Sequence, residues 1–348
     1  MKRRLRTADR YLTIWILLAM VLGVVLGKLI PQLPISLESL SSGTTNIPLA
    51  IGLIIMMYPP LTRVRYEDVP KTFTNRRVLI LSIFQNWIIG PALMFVLAML
   101  TVPDRPELFQ GLVLIGLARC IAMVIVWNDL AGGNREYATG LVAMNSLFQV
   151  ILYGAFAWFY LDVLPSALGL QASHVNLDMS TVGVSVLLYL GTPLIAGYLT
   201  RYLSIRIMGQ VWFETTLVPR LAPFTIIALL LTIVIMFALK AETIVAVPTD
   251  VLRVAIPLLM YFLVMFAVSL VMSRRLGAPE SIARTLAFTA ASNNFELAIA
   301  VAISVYGLSS SQALAAVVGP LIEVPVMLLL VWFVTRQHAA NGRESSQA

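Results

Sequence analysis

Charge is scarce in this sequence. Asp, Glu, Lys and Arg make up 12% of the 348 residues, about half the share found in soluble domains. With 59% hydrophobic residues and a mean hydropathy of +0.89, that scarcity excludes an ordinary water-soluble core. Cysteine is scarcer still: Cys120 stands alone, so no intramolecular disulfide can form, and its place in an apolar run leaves the redox compartment unreadable. The two histidines, His174 in a loop and His338 near the C-terminus, lack the spacing of a metal site. The run G-V-V-L-G-K at 23–28 imitates a phosphate loop, but it has one residue too few between its glycines and no Ser or Thr after Lys28. Gly23 and Gly27 read better as a small-residue helix contact. No nucleotide-binding domain and no nucleophile–base pair at helical spacing are present. ATP-driven work through an ATPase, enzyme catalysis and a cofactor are therefore not expected.

Apolar length is what the chain has in abundance. About 20 apolar residues cross the hydrocarbon core, and that ruler marks ten segments: 11–30, 46–62, 78–101, 108–128, 136–161, 181–203, 217–239, 251–273, 282–306 and 312–335. The expected fold class is an all-α polytopic membrane protein with ten transmembrane helices. Proline interrupts the third segment (Pro91), the eighth (Pro257) and the tenth (Pro320, Pro325), which spanning helices tolerate where neighbours satisfy the freed carbonyls. The basic N-terminus resembles the start of a signal peptide, but the apolar stretch that follows has no small-residue cleavage site, so a retained first helix is expected.

The net charge of +7 does not imply a nucleic-acid partner, because the basic residues fall in short loops between apolar runs. Nineteen Lys and Arg lie on the N-terminal side of the alternating segments. Four (Lys28, Arg105, Lys240, Arg253) lie on the other. That bias places both termini in the cytoplasm of a multi-pass protein of the plasma (inner) membrane. The halves share a layout: segments four and nine each carry a polar interruption, and Asn293 follows Arg119 by 174 residues, half the chain. Five spans per half force opposite orientations, as in inverted-repeat transporters with a midplane site at discontinuous helices. Residues 1–172 form the first five-helix repeat, 173–340 the inverted second, and 341–348 a disordered tail.

Chemistry concentrates in those interruptions. Arg119 and Cys120 lie in G-L-A-R-C-I-A-M-V-I-V-W-N, residues 116–128. A charge at that depth costs at least a few kcal/mol unless it is paired or faces water. Glu296 follows Ser292, Asn293 and Asn294, small and amide residues that let a helix break and offer backbone and side chains to a ligand. Arg119 and Glu296 admit two readings, a static ion pair fastening two helices or a proton-exchanging couple. Cys120 is either a small buried hydrophobe or a single soft ligand, which would hold a thiophilic solute weakly enough to release it. Gln85, Asn86, Asn145, Gln149 and Glu323 are the other polar residues within spans. Asn145 and Gln149 suit interhelical hydrogen bonding, and Glu323, between two prolines, suits either structure or function. Met56, Met57 and Met144 read as packing.

At these residues the chain resembles the arsenite efflux permeases, the arsenical-resistance branch of the bile acid/arsenite/riboflavin transporter superfamily. The likeness is carried by G-L-A-R-C-I-A-M-V-I-V-W-N-D-L-A (116–131) and S-N-N-F-E-L-A-I-A-V-A-I (292–303), supported by M-Y-P-P-L (57–61), N-W-I-I-G-P-A-L (86–93) and E-V-P-V-M-L (323–328). It implies a panel of spans one, two, six and seven and a core of spans three to five and eight to ten, with four and nine broken and crossing. It also implies export of arsenite, and in some members antimonite, in exchange for protons. Carried over by motif, Cys120 would bind trivalent arsenic, Arg119 and Glu296 would couple proton movement, and Asn86, Trp127, Ser292, Asn294 and Phe295 would line the site. The competing reading on the same fold is a sodium-coupled organic-anion symporter of the bile-acid kind, which would have no use for Cys120.

Overall fold

The computed structural model describes residues 12–42, 45–64, 66, 75–169, 179–242, 248–308 and 310–344. Expectations resting on residues 1–11, on Arg65, Lys71 and His174, on the last four residues, and on the side chains beyond Arg336 fall outside that set.

The described chain is helical apart from a two-residue ladder, β1 (Ser41–Ser42) against β2 (Thr45–Asn46). The helices are α1 (Leu12–Leu29), α2 (Gln32–Ser39), α3 (Ile47–Thr62), α4 (Arg76–Thr101), α5 (Pro106–Leu117), α6 (Met123–Leu130) and α7 (Arg135–Ala167). They continue with α8 (Ser180–Met208), α9 (Gln210–Leu239), α10 (Pro248–Arg275), α11 (Glu280–Ala291), α12 (Phe295–Tyr306) and α13 (Ser311–Glu344). Asparagine starts α3, α4, α7 and α12: the side chains of Asn46, Asn75, Asn134 and Asn294 accept from the free N–H groups of the first turn. Among the described residues α4, α7, α8, α9, α10 and α13 are long and apolar enough to cross a membrane, six spans by that measure. The pair α1 and α2, bent by 99°, makes a seventh if taken as one. The helix α2 and the ladder occupy what the sequence left as the connection between the first two segments; an eight-residue helix is too short to register as a hydropathy peak.

Four helices widen into a π-turn, Gln85–Ile89 in α4, Phe159–Val163 in α7, Leu187–Gly191 in α8 and Phe213–Leu217 in α9. Each ends two residues before a proline: Pro91, Pro165, Pro193 and Pro219. Proline has no N–H to donate and its ring collides with the carbonyl four residues back. One extra residue in the preceding turn relieves the collision while the neighbouring N–H bonds a carbonyl five residues back, as Gly90 does to Gln85.

Helices α1, α3, α8 and α9 pack on one another, and α4, α5, α10, α11, α12 and α13 pack on one another. A Cβ on Gly27 would lie 2.4 Å from the Ala238 carbonyl oxygen, and one on Gly23 2.6 Å from that of Val234. The two glycines therefore let α1 approach the backbone of α9, the small-residue contact expected from sequence.

Candidate functional site

Two interruptions define the centre of the molecule. Helix stops at Leu117 and resumes at Met123; it stops again at Ala291 and resumes at Phe295. The two unwound stretches meet, with Arg119 and Asn293 opposite one another in a single antiparallel bridge. The Asn294 N–H donates to the Ala118 carbonyl at 3.0 Å. Breaking a helix away from water leaves carbonyls and N–H groups that must be satisfied by protein, and here each break supplies the other.

The Asn293 side chain donates to the carbonyls of Ile115 (2.8 Å) and Ala118 (3.1 Å) at the end of α5, adding to the bonds these accept from the backbone N–H groups of Ala118 and Asn294. In return, the Arg119 guanidinium donates to the Ala290 carbonyl at the end of α11 (3.5 Å), to the Gly116 carbonyl, and to the Tyr261 hydroxyl (2.9 Å). Helix C-termini carry partial negative charge, so this fully buried cation is held by two of them. The pairing of Arg119 with Glu296 expected from sequence is not found among the described residues: the guanidinium meets neutral acceptors instead. Gly90 on α4 leaves room for it, since a Cβ there would lie 2.6 Å from Nη1 of Arg119 and 3.0 Å from the Tyr261 hydroxyl.

Each break is also gripped from the second helix after it. Gln149 of α7 accepts from the Arg119 N–H (3.0 Å) and donates to the Arg119 carbonyl (2.9 Å). Glu323 of α13 accepts from the Ser292 hydroxyl (2.6 Å) and the Asn293 N–H (3.3 Å).

Cys120 is buried in the first break. Its sulfur lies beside the Ser292 hydroxyl and within electrostatic reach of Glu323 and Glu296. Glu296, in the first turn of α12, lies in a tight seam lined by Leu53 and Met57 of α3, Tyr189 and Leu190 of α8, and Leu297. The acid thus faces the boundary between the two packed groups of helices.

Comparison with known proteins fits this architecture. Residues 50–247 match the Sodium Bile acid symporter family. The chain is 46% identical to the arsenical-resistance protein Acr3 of Corynebacterium glutamicum over 329 residues, 94% of this chain and 89% of that protein. It is 34% identical to the arsenical-resistance protein Acr3 of Alkaliphilus metalliredigens over 333 residues, 93% and 91% of the two chains. The chain belongs to the arsenical-resistance family. A third relative, the uncharacterized transporter slr0944 of Synechocystis sp., is 36% identical over 343 residues, 93% of this chain and 87% of its own. Membership of the arsenical-resistance family makes the chain a multi-pass membrane transporter and not an enzyme.

Of the residues singled out in sequence, Arg119, Cys120, Ser292, Asn294 and Glu296 come together at the crossing. Asn294 caps α12 through its Oδ1, which accepts from the Leu297 N–H at 3.1 Å, while its Nδ2 is buried without a partner. Phe295 packs edge-on to Phe262 (6.4 Å between centroids), and its ring occupies the place a Cβ on Gly319 would take. Asn86 lies in the π-turn of α4, its amide donating to the Ser82 carbonyl (2.9 Å) and its Oδ1 unpartnered. Trp127 is buried on α6 with its indole N–H unpartnered. Trp87, next to Asn86 along α4, donates to Asn145 (3.1 Å), the interhelical role expected of that asparagine.

Sequence reasoning missed Tyr261 and gave Asn293 no role of its own. Tyr261 carries no signal beyond being a tyrosine in an apolar helix. For Asn293 the signal was present, since the 174-residue offset lands on it from Arg119.

Proposed function

We propose that this transporter exports arsenite, and antimonite by the same chemistry, from the cytoplasm across the plasma membrane in exchange for protons. The observation that carries the reading is the placement of the sole thiol beside Ser292, at the crossing of two helix breaks and within electrostatic reach of two acids. In the proposed architecture ten spans form two inverted five-helix repeats, 1–172 and 173–340, ahead of a short tail, with both termini cytoplasmic. The packing of α1, α3, α8 and α9 on one another supports a panel, and that of α4, α5, α10, α11, α12 and α13 a core holding both breaks, with α8 meeting α7 and α12 at the boundary. The names of two relatives support arsenic as the substrate.

In the mechanism, arsenous acid enters from the cytoplasm while Glu296 is ionised. The Cys120 thiol displaces one hydroxyl from arsenic, forming a single As–S bond and releasing one water. One thiolate, rather than three, keeps the bond reversible. Asn86, Trp127, Ser292, Asn294 and Phe295 line the site, and the unpartnered amide and indole N–H groups of Asn294 and Trp127 suit the remaining arsenic hydroxyls. The core then moves against the panel and exposes the site to the outside. Protonation of Glu296, which faces the panel boundary, loosens the site; water returns to arsenic, Cys120 regains its proton, and arsenite leaves. Arg119 keeps the break charged and in place throughout. Each proton descending 100 mV supplies about 2.3 kcal/mol, a gradient of roughly fifty-fold for a neutral solute.

Everted membrane vesicles test this. Arsenite should accumulate with an imposed proton gradient and stop doing so when an uncoupler is added. Cys120→Ser should lower the rate about tenfold or more at unchanged protein level, and Glu296→Gln should abolish uphill uptake. Accumulation that followed a sodium gradient and ignored the uncoupler would favour the symporter reading instead.

A further inference from the structure

We propose that Gln149 is a positioning residue for the substrate-binding break: its carboxamide holds the Arg119 peptide at both ends and so fixes where the adjacent Cys120 points. A polar side chain between membrane helices can join them through a single hydrogen bond. Gln149 makes two to the same residue, accepting from its N–H at 3.0 Å and donating to its carbonyl at 2.9 Å. Its Nε2 also reaches the Asn145 carbonyl at 3.3 Å, which ties the grip to α7. The bridge to Asn293 leaves both peptide groups of Arg119 available, because the hydrogen bond across it runs from the Asn294 N–H to the Ala118 carbonyl. Gln149 therefore completes on one side a ladder that Asn293 begins on the other.

The opposite break shows why the amide matters. Glu323 follows Gln149 by 174 residues, the same interval that separates Asn293 from Arg119. Glu323 grips its break through the Asn293 N–H and the Ser292 hydroxyl. A carboxylate has nothing to donate to a carbonyl, whereas an amide or a protonated acid does both. Each break is thus held by a side chain at the mirrored position, and the break bearing the thiol has the grip whose hydrogen bonding no proton can alter.

The test exploits that isostery. Gln149→Glu substitutes a group that matches the amide only when protonated, and Gln149→Leu one that never does. Cys120 is the only cysteine, so its alkylation by a maleimide in membranes reads the break directly. Each variant is expressed as a ratio to the unsubstituted protein at the same pH, which removes the intrinsic thiol titration and the background of Arg119, Glu296 and Glu323 at the two breaks. Gln149→Glu should react at a ratio near one at about pH 5 and about tenfold faster at about pH 9, where the buried carboxyl is ionised. Gln149→Leu should show the raised ratio at both. A Gln149→Glu ratio that is the same at both pH values overturns the proposal. If that variant does not reach the membrane, a Gln149→Leu ratio of one overturns it. The link to transport rests on the function proposed above, and protection of Cys120 by arsenite in the unsubstituted protein tests that separately. Loss of protection would sink the arsenite reading while leaving the alkylation ratios to decide the role of Gln149.

Discussion

Arg119 shows how a buried charge can be held without a counter-ion. Its guanidinium lies at the C-terminal ends of α5 and α11 and donates to Gly116, Ala290 and Tyr261. Sequence reasoning left Arg119 and Glu296 open as a static ion pair or a proton-exchanging couple. Here two helix ends and a phenol meet the guanidinium, because helix termini carry charge that no residue letter records. Lysine would keep the positive charge and lose the planar fork that spans three acceptors. Arg119→Lys should therefore lower transport about tenfold or more in vesicles while the protein still elutes as a folded species in detergent. Retention of the full rate would show that charge alone suffices there.

At the level of the helix, proline and glycine set the geometry. The π-turn before Pro91 carries Gln85, Asn86 and Trp87, so the widened turn decides which way Asn86 faces. Gly90 lies immediately after it and admits the Arg119 side chain between α4 and α10. Gly90→Val should push the guanidinium from its place and abolish transport, with Gly90→Ala intermediate, and protein levels on immunoblots should stay near those of the parent. A valine variant transporting normally would show that Arg119 has other room.

The same elements mark what sequence could and could not reveal. The breaks were legible because small and amide residues interrupt apolar runs, and the Gly23/Gly27 contact because its spacing fits a helix. The coincidence of four π-turns with four prolines needed the backbone to be seen. Gln149 read as an ordinary interhelical residue, since nothing in a single letter says that both ends of its amide meet one peptide.

In the whole molecule, the proposed movement of one group of helices against the other would break contacts on one face at a time. One such contact joins Lys240, just past α9, to the Ser310 carbonyl between α12 and α13, at 3.0 Å. Burial pulls the Lys240 ammonium down to about 8, so this contact is charge-assisted below that pH and neutral above it. On the charge-bias orientation it lies on the outer face. Cysteines introduced at 240 and 310 with Cys120 retained, and joined by a short reducible thiol cross-linker, should slow alkylation of Cys120 by a maleimide added from outside, with recovery on reduction. Unchanged labelling would mean that this face stays closed during transport.

The two breaks also constrain how the protein is made. The donors that complete the end of α5 come from Asn293, and those that complete the end of α11 come from Arg119. Synthesis reaches Asn293 only after 174 further residues, roughly 10 to 30 s at ribosomal speed. Through that interval the earlier break sits in or beside the bilayer with its carbonyls unmet. Water, lipid headgroups or an insertion factor must serve it until the later segment arrives, which makes the nascent first half the stage of biogenesis most exposed to capture by membrane quality control.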